Sequence, residues 1–428
     1  MLNKALLRAV IADQATIRIP TPFFKREIYA RLLAWQNNTQ IIVLSGIRRS
    51  GKSTLLQQVR QHAHHKNCYL NFDDDRLLNF EISDFQSLLE VFIELYGDER
   101  TLYFDEIQNI SGWERFIRRA YDQGYKIYLT GSNSNMLSKE LGTRLTGRYL
   151  QIQVYPLSFK EFVQIYDPSL LTKKTFTTRD KGLIQHYFQQ YWTTGGMPEY
   201  VLTAIPDVLQ LLYQNILYRD IVVRYSLNNE LPIKELMYYL ASHVGKDVSF
   251  NALKAVIGVK NASTVSEYCH YLENSYLAFF VRRYDASLKK QIQKKGYLID
   301  HALARIIGFR PTEDRGRILE NIVFLELKRR ECDIYFHRDK KECDFLLRHG
   351  TQIQQAIQVC QAFTSEETEQ QEIAGLLEAM NAHGLGSGLI LVEDLSQTTT
   401  VLQHNKDIHF MPISLWLLDT AEKTPPAG

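Results

Sequence analysis

Gly46-Ile47-Arg48-Arg49-Ser50-Gly51-Lys52-Ser53-Thr54 is the stretch whose reading decides the fold of this chain. It fits the spacing G-x-x-x-x-G-K-[ST] at every fixed position, between an apolar run, Ile41 to Leu44, and a segment of helical period that starts at Thr54-Leu55-Leu56. Strand, glycine loop and helix thus follow in the order that a phosphate-binding loop requires. Glycines let successive backbone N–H groups turn inward on phosphate oxygens, and the helix N-terminus adds its partial positive charge. The spacing predicts that Gly46 through Thr54 wrap the phosphates of ATP. Lys52 reaches the β- and γ-phosphates in this reading, and Ser53 ligates Mg2+.

Such a loop needs a partner carboxylate, and Leu102-Tyr103-Phe104-Asp105-Glu106 supplies one at the end of an apolar strand. Asp105 is expected to hold the magnesium shell. Glu106 is expected to act as general base on an attacking water, which favours hydrolysis over phosphoryl transfer to a metabolite. Its bland alternative is a carboxylate that caps the helix after the strand. A second strand, Tyr128-Leu129-Thr130, ends in Gly131-Ser132-Asn133, where Ser132 or Asn133 can bond the water or the γ-phosphate. Arg144-Leu-Thr-Gly147-Arg148-Tyr149 then places two arginines before the last strand. Arg148 is the preferred finger for transition-state charge, supplied by this chain or by a neighbouring copy; a surface arginine paired with a carboxylate is the alternative.

Working outward, residues 41 to 160 alternate short apolar strands (Ile41 to Leu44, Cys68 to Asn71, Thr101 to Phe104, Lys126 to Thr130, Leu150 to Val154) with helical stretches, the signature of a parallel α/β sheet. The expected division is an ATPase domain at 1–160, a helical lid or adaptor at 161–230, a winged-helix domain at 231–310, a nuclease-like α/β domain at 311–420 and a disordered tail at 421–428. A length of 428 residues suits about three domains. A composition of 45% hydrophobic and 23% charged residues excludes wholesale disorder, collagen-like and coiled-coil chains. With 50 Lys and Arg against 48 Asp and Glu, any nucleic-acid contact must come from a local patch. Apolar runs fall far below the roughly 18 residues that span a bilayer. The five cysteines never form Cys-x-x-Cys, which fits reduced, buried thiols in a cytosolic protein.

The motifs together carry a family resemblance. Gly-Ile-Arg-Arg-Ser-Gly-Lys-Ser-Thr, Tyr-Phe-Asp-Glu-Ile-Gln-Asn, Leu-Thr-Gly-Ser-Asn, Gly-Arg-Tyr and Tyr155 to Phe162 resemble the prokaryotic AAA-type P-loop ATPases that carry a C-terminal domain of unknown function. Gly195-Gly-Met-Pro-Glu199, Leu217 to Ile221, Leu319-Glu-Asn321 and Glu342-Cys-Asp-Phe345 extend the resemblance over nearly the whole chain. It implies an AAA-like ATPase core, a winged-helix module and a restriction-endonuclease-like C-terminal fold.

Downstream, Ser249 can cap a helix Phe250 to Ile257 that Gly258 stops, and a second helix runs from Ser263 through Leu272, which is helix-turn-helix spacing. Strands at Leu277 to Tyr284 and Gly296 to Asp300 would flank a wing. Arg282, Arg283, Lys289, Lys290, Lys294 and Lys295, opposed only by Asp285, offer weak, salt-sensitive contact with DNA. Protein docking is the equal alternative, because Ser263 to Glu273 lacks Arg and Lys. Further on, Glu320, Asp344 and Gln358 stand in the order of a PD-(D/E)xK nuclease site. Gln358 and Cys360 replace the acid and lysine that metal-assisted hydrolysis needs, so the reading is a degenerate site kept as a binding or assembly platform, with Lys341 as one basic residue able to take the missing role. His62, His64 and His65 lack acidic or Cys partners at metal spacing and read as a solvated helix end. The sequence thus predicts a Mg2+-dependent ATPase whose nucleotide state gates this platform, on DNA or on protein partners, with assembly into homo-oligomers if Arg148 acts in trans; an ATP-dependent nuclease built on Glu320 and Asp344 is the further alternative.

Overall fold

The computed structural model describes residues 2–16, 24–65, 67–133, 145–309, 314–363, 365–393 and 398–419. Arg144 and the tail expected at 421–428 lie outside the described residues. The chain forms two units, one of Met1–Tyr155 with Asn274–Tyr276, the other of Pro156–Glu273 with Leu277–Gly428.

The first unit is built on five strands, β1 (Ile41–Ser45), β2 (Tyr69–Asn71), β3 (Thr101–Asp105), β4 (Lys126–Gly131) and β5 (Tyr149–Gln153), in the order β2-β3-β4-β1-β5. All neighbours are parallel, with Ile42 opposite Tyr128 and Leu150, and Leu102 opposite Ile127. Parallel strands bury both faces, so each reads as a continuous apolar run, and the period of two sorts its side chains between the faces. Ile42, Leu44, Tyr103 and Tyr128 meet Leu55, Leu56 and Val59 of the helix Lys52–His62. Ile41, Val43, Leu102 and Phe104 meet Phe85 and Leu88 of the helix Asp84–Tyr96 and Phe116 and Ile117 of the helix Trp113–Asp122. Each such leucine contributes about 2 kcal/mol by leaving water. Because every strand points the same way, Ser45, Asp105 and Gly131 leave the sheet at one edge, where ligands of open α/β sheets bind.

The second unit starts with helices Phe159–Tyr166 and Thr178–Thr194, each opened by a reciprocal capping pair, Ser158 with Glu161 and Thr177 with Asp180. Gly195 ends the second of these at φ +72°. Helices Pro198–Thr203 and Pro206–Asn215 follow, the latter continuing as a wider π-type turn over Ile216–Val223, and then helix Leu231–Ser242. Helices Phe250–Val256, whose cap is Ser249, and Ala262–Asn274 precede an antiparallel hairpin of β6 (Ala278–Arg283) and β7 (Lys294–Leu298).

That hairpin is not free-standing as a wing would be. β6 pairs in parallel with β8 (Asp333–Arg338), and the sheet continues through β9 (Glu342–His349), β10 (Gln352–Cys360) and β11 (Ser387–Val392) to β12 (Thr399–Gln403) and β13 (Lys406–Pro412). The order is β12-β13-β11-β10-β9-β8-β6-β7, so one eight-stranded sheet crosses the expected division at residue 310. Helices Arg315–Arg329 and Glu366–Ala382 pack on it. The β12–β13 hairpin turns at His404-Asn405, both at positive φ, the two-residue turn whose twist matches its strands.

Candidate functional site

At the exit of β1 the backbone takes conformations that side chains resist. Gly46 has φ +144°, and a Cβ there would come within 2.3 Å of the Val154 carbonyl oxygen. Arg49 and Gly51 also lie at positive φ, and Gly51 caps the helix Lys52–His62. This strained turn brings the first N–H groups of the helix to the carboxyl edge of the sheet. Lys52 is 3% exposed and its ammonium donates to the carbonyls of Gly46 (3.0 Å) and Ile47 (2.9 Å), which spans the loop from within. Ile47 and Ser50 are buried, Arg48 lies 3.9 Å from Asp73, and Thr54 is half-buried behind the exposed Ser53.

Ser53 donates its hydroxyl to Asp105 Oδ1 at 3.0 Å across the gap from loop to β3. Thr130 also donates to Oδ1, and Tyr69 donates to Oδ2 at 3.2 Å. Asp105 is fully buried; burial, then the charge of Glu106, raise its pKa above the ordinary value. Glu106 sits beside it at φ +52°, with its N–H on Thr130 Oγ1 (2.9 Å) and its Oε2 accepting from Gln108 and from Ser132 (3.3 Å). Burial opposes its ionisation, yet the charges of Lys52 and Arg48 and these hydrogen bonds outweigh burial and hold its pKa below the ordinary value. Asn133 follows, 1% exposed. The structure therefore brings Lys52, Ser53, Asp105, Glu106, Ser132 and Asn133 to the same sheet edge. A hydroxyl and a carboxylate are hard oxygen donors of the kind Mg2+ prefers, so the residues present fit that ion.

Arg148 is the exception. It directly precedes β5, whose Tyr149 pairs with Ile41 at the start of β1, so it lies at the amino edge of the sheet, about 16 Å of strand away from the loop. There it stands 3.7 Å from Asp122 and over the ring of Tyr121. A finger acting within its own chain is thereby excluded. Thr130, Tyr69 and Gln108, which hold the acidic pair, were not singled out by the sequence; Thr130, near the end of β4, and Gln108, in the short turn after β3, stood inside motifs already quoted.

In the second unit Glu320 and Asp344 do meet, around a residue assigned elsewhere by the sequence. Lys295 is 0% exposed, and its ammonium contacts Glu320 (2.9 Å), Glu342 (2.6 Å) and Asp344 (3.1 Å). Tyr297, on the same face of β7, donates to Glu320 at 2.6 Å, and Arg317 pairs with Glu320 at 2.9 Å. Burial alone would lower the Lys295 pKa, but the three carboxylates raise it. Burial and then Glu320 push Asp344 up to about 7. Gln358 donates to Glu372 (2.6 Å) and accepts from the Asp344 N–H (3.1 Å). The lysine of this cluster is Lys295; Lys341 is exposed.

The basic wing shrinks accordingly. Lys295 is internal and Arg283, 8% exposed, pairs with Asp285 at 3.1 Å, so neither can present its charge to DNA. Lys290 also reaches Asp285, at 3.3 Å, and Lys294 lies over Phe250 and Phe280. Arg282, Lys289 and Lys290 remain exposed. The alternation Lys294-Lys295-Gly296-Tyr297 on a strand could have flagged Lys295 and Tyr297 as sharing a face. All five cysteines are free thiols, and no helix among the described residues is long and apolar enough to cross a membrane.

Comparison with known proteins agrees with the first unit. Residues 38–163 match an AAA domain, and residues 185–313 match a domain of unknown function (DUF8612). An uncharacterized protein of Methanocaldococcus jannaschii is 33% identical over 88% of this chain and 86% of its own length. One from Haemophilus influenzae is 33% identical over 77% of this chain and 84% of its own. The solved structure of C. elegans PCH-2 overlaps 49% of this chain and 61% of that one at 12% identity and a TM-score of 0.28, a level that bears on neither fold nor function. By its 33% identity over most of both chains, this protein belongs to the same family as the uncharacterized Methanocaldococcus jannaschii protein, and within it carries an AAA domain followed by a domain of unknown function.

Proposed function

We propose that the chain is a Mg2+-dependent ATPase whose nucleotide state gates its second unit as a binding platform. The observation that carries this is the Ser53–Asp105 contact at 3.0 Å with the Glu106 carboxylate beside it, bonded to Gln108 and Ser132. Gly46 through Thr54 would bind the phosphates, with Lys52 on the β- and γ-oxygens, and Ser53 and Asp105 would hold Mg2+. Bound Mg2+ would neutralise charge that builds on the transferred phosphoryl group. Glu106, kept anionic by Lys52 and Arg48, takes the proton of the attacking water; Ser132 and Asn133 orient that water or the γ-phosphate. Wild-type protein should hydrolyse ATP only with Mg2+. Lys52→Ala should weaken ATP binding about tenfold or more. Turnover that survives Lys52→Ala or Glu106→Gln would overturn this reading.

The finer reading of the second unit as a degenerate nuclease-like fold is supported by the meeting of Glu320 with Asp344 around Lys295; the helix-turn-helix order alone supports a winged-helix module, since its expected wing, β6 and β7, belongs to the eight-stranded sheet. Lys295, Arg317 and Arg338 offset the charge of Glu320, Glu342 and Asp344. A cluster so balanced attracts a divalent ion weakly, which favours a platform over a nuclease. The burial of Lys295 and Arg283 favours a protein partner over DNA. ATP turnover measured with and without duplex DNA from low to high salt tests this: equal rates support the protein-directed switch, and salt-sensitive stimulation by DNA restores the other.

A further inference from the structure

Arg26, in the segment that precedes β1, reaches the phosphate loop from outside. It is 9% exposed, and its guanidinium donates to the carbonyl of Ser50 at 2.8 Å and to the carbonyl of Tyr155 at 2.7 Å. The same group lies 3.6 Å from the point that a Cβ on Gly51 would occupy. Ser50 is the last loop residue before Gly51-Lys52. Tyr155 is the last residue of the first unit before Pro156 opens the second. The start of the loop is fastened to the same exit: Val154 donates its N–H to Ser45 at 2.6 Å, and Gly46 packs on the Val154 carbonyl.

We propose that Arg26 is a positioning residue of the nucleotide site, which ties the phosphate loop at Ser50 to Tyr155 so that the loop and the exit segment hold one conformation together. The proposal rests on the ATPase reading for its functional meaning. A loop that turns its N–H groups inward must send carbonyls outward, and an outward carbonyl that is buried needs a donor. Lys52 serves Gly46 and Ile47 from inside; Arg26 serves Ser50 from outside. Two carbonyls from separate segments call for the rigid fork of an arginine, since a lysine ammonium is a point donor on a flexible stem.

Amide hydrogen exchange of the nucleotide-free full chain, combined with ATP titration, tests this with Arg26→Ala and Arg26→Lys. Arg26→Ala should raise exchange about tenfold in two places, residues 46–53 and residues 154–157, and leave the helix Asp84–Tyr96 unchanged. ATP affinity in Mg2+ should fall by a similar factor, with Arg26→Lys intermediate in both readouts. Exchange that rises in one of the two segments alone, or in neither, overturns the tie. If Arg26→Ala loosens the whole unit, Arg26→Lys decides, because the proposal requires its smaller increase to stay confined to the same two segments. Wild-type protein that fails to bind ATP would sink the ATPase reading, while the exchange pattern would still judge the brace.

Discussion

Asp105 and Glu106 are adjacent carboxylates whose protonation is driven in opposite directions. Asp105 is enclosed by Thr130, Tyr69 and Ser53 and feels its neighbour's negative charge, so its pKa rises. Glu106 is as deeply set, but the charges of Lys52 and Arg48 reach it and its pKa falls. The pair thus separates a carboxylate whose charged form is disfavoured from one whose charged form is favoured. For Glu106 the folded pKa lies below its ordinary 4.5, so its stabilising contribution is present above that value and is lost as pH falls through the lower folded pKa. The acid limb of turnover that Glu106 sets should therefore lie below pH 4.5. Glu106→Gln should bind ATP like wild type and lose turnover by about 10² to 10⁴, measured by single-turnover hydrolysis beside equilibrium titration. A variant that loses binding and turnover together would make Glu106 a structural residue. Lys52, Ser53, Asp105 and Glu106 were legible in the sequence because loop spacing and a strand-end carboxylate are local signals. The hold of Thr130 and Tyr69 on Asp105 was not, since it depends on β2, β3 and β4 lying side by side.

Among the elements, Lys295 in β7 and Arg148 just before β5 are basic residues whose place relative to a sheet sets their role. Lys295 is enclosed by Glu320, Glu342 and Asp344, so Lys295→Met removes the one buried cation that the three share. It should cost about 3–5 kcal/mol in urea unfolding of the second unit. Lys289→Met, exposed on the same hairpin, should change stability by no more than about 0.5 kcal/mol. Equal costs would mean that the caged lysine contributes nothing beyond its stem. Arg148 precedes the amino end of β5, so only a neighbouring copy can bring it to a nucleotide. Arg148→Ala should therefore leave turnover per chain unchanged at high dilution and lower it only where wild-type turnover rises with concentration. A dilution-independent loss would contradict that placement. The five strands of the first unit were legible within a residue or so, because apolar runs between turn residues are local. β12 was not: Thr399–Gln403 is a short run of five residues, nearly all exposed with Val401 and Leu402 among them, and it is paired by β13 alone. The joining of β6 to β8 was equally hidden, since it matches residues about fifty positions apart, Arg282 with Tyr335.

For the whole molecule, near-zero net charge conceals a chain that keeps several of its charges inside. Charge patterning along the sequence suggested a basic wing; the fold turns one of those lysines inward and pairs another basic residue with Asp285, so the sum stays the same while the surface becomes less basic. Internal charge also gives one carboxylate a contribution to stability that runs opposite to the usual carboxylate effect. Asp344 faces Lys295, Glu320 and Glu342, with Arg317, Tyr297 and Glu372 around them, and its pKa is pushed from 3.8 up to about 7. Between those two values the folded state holds a proton that the unfolded state has released, so this group makes stability fall as pH rises across that window. Lys295 has a raised pKa and remains cationic throughout. The urea midpoint of β9 and β10, followed by pulsed amide exchange, should therefore drop from pH 5 to pH 7.5 in wild-type protein. Asp344→Asn cannot release the proton, and its midpoint should lose that component of the slope. Parallel pH profiles for the two proteins would show that Asp344 is ionised across the whole range, and would turn the cage from a proton-holding cluster into a fully charged one.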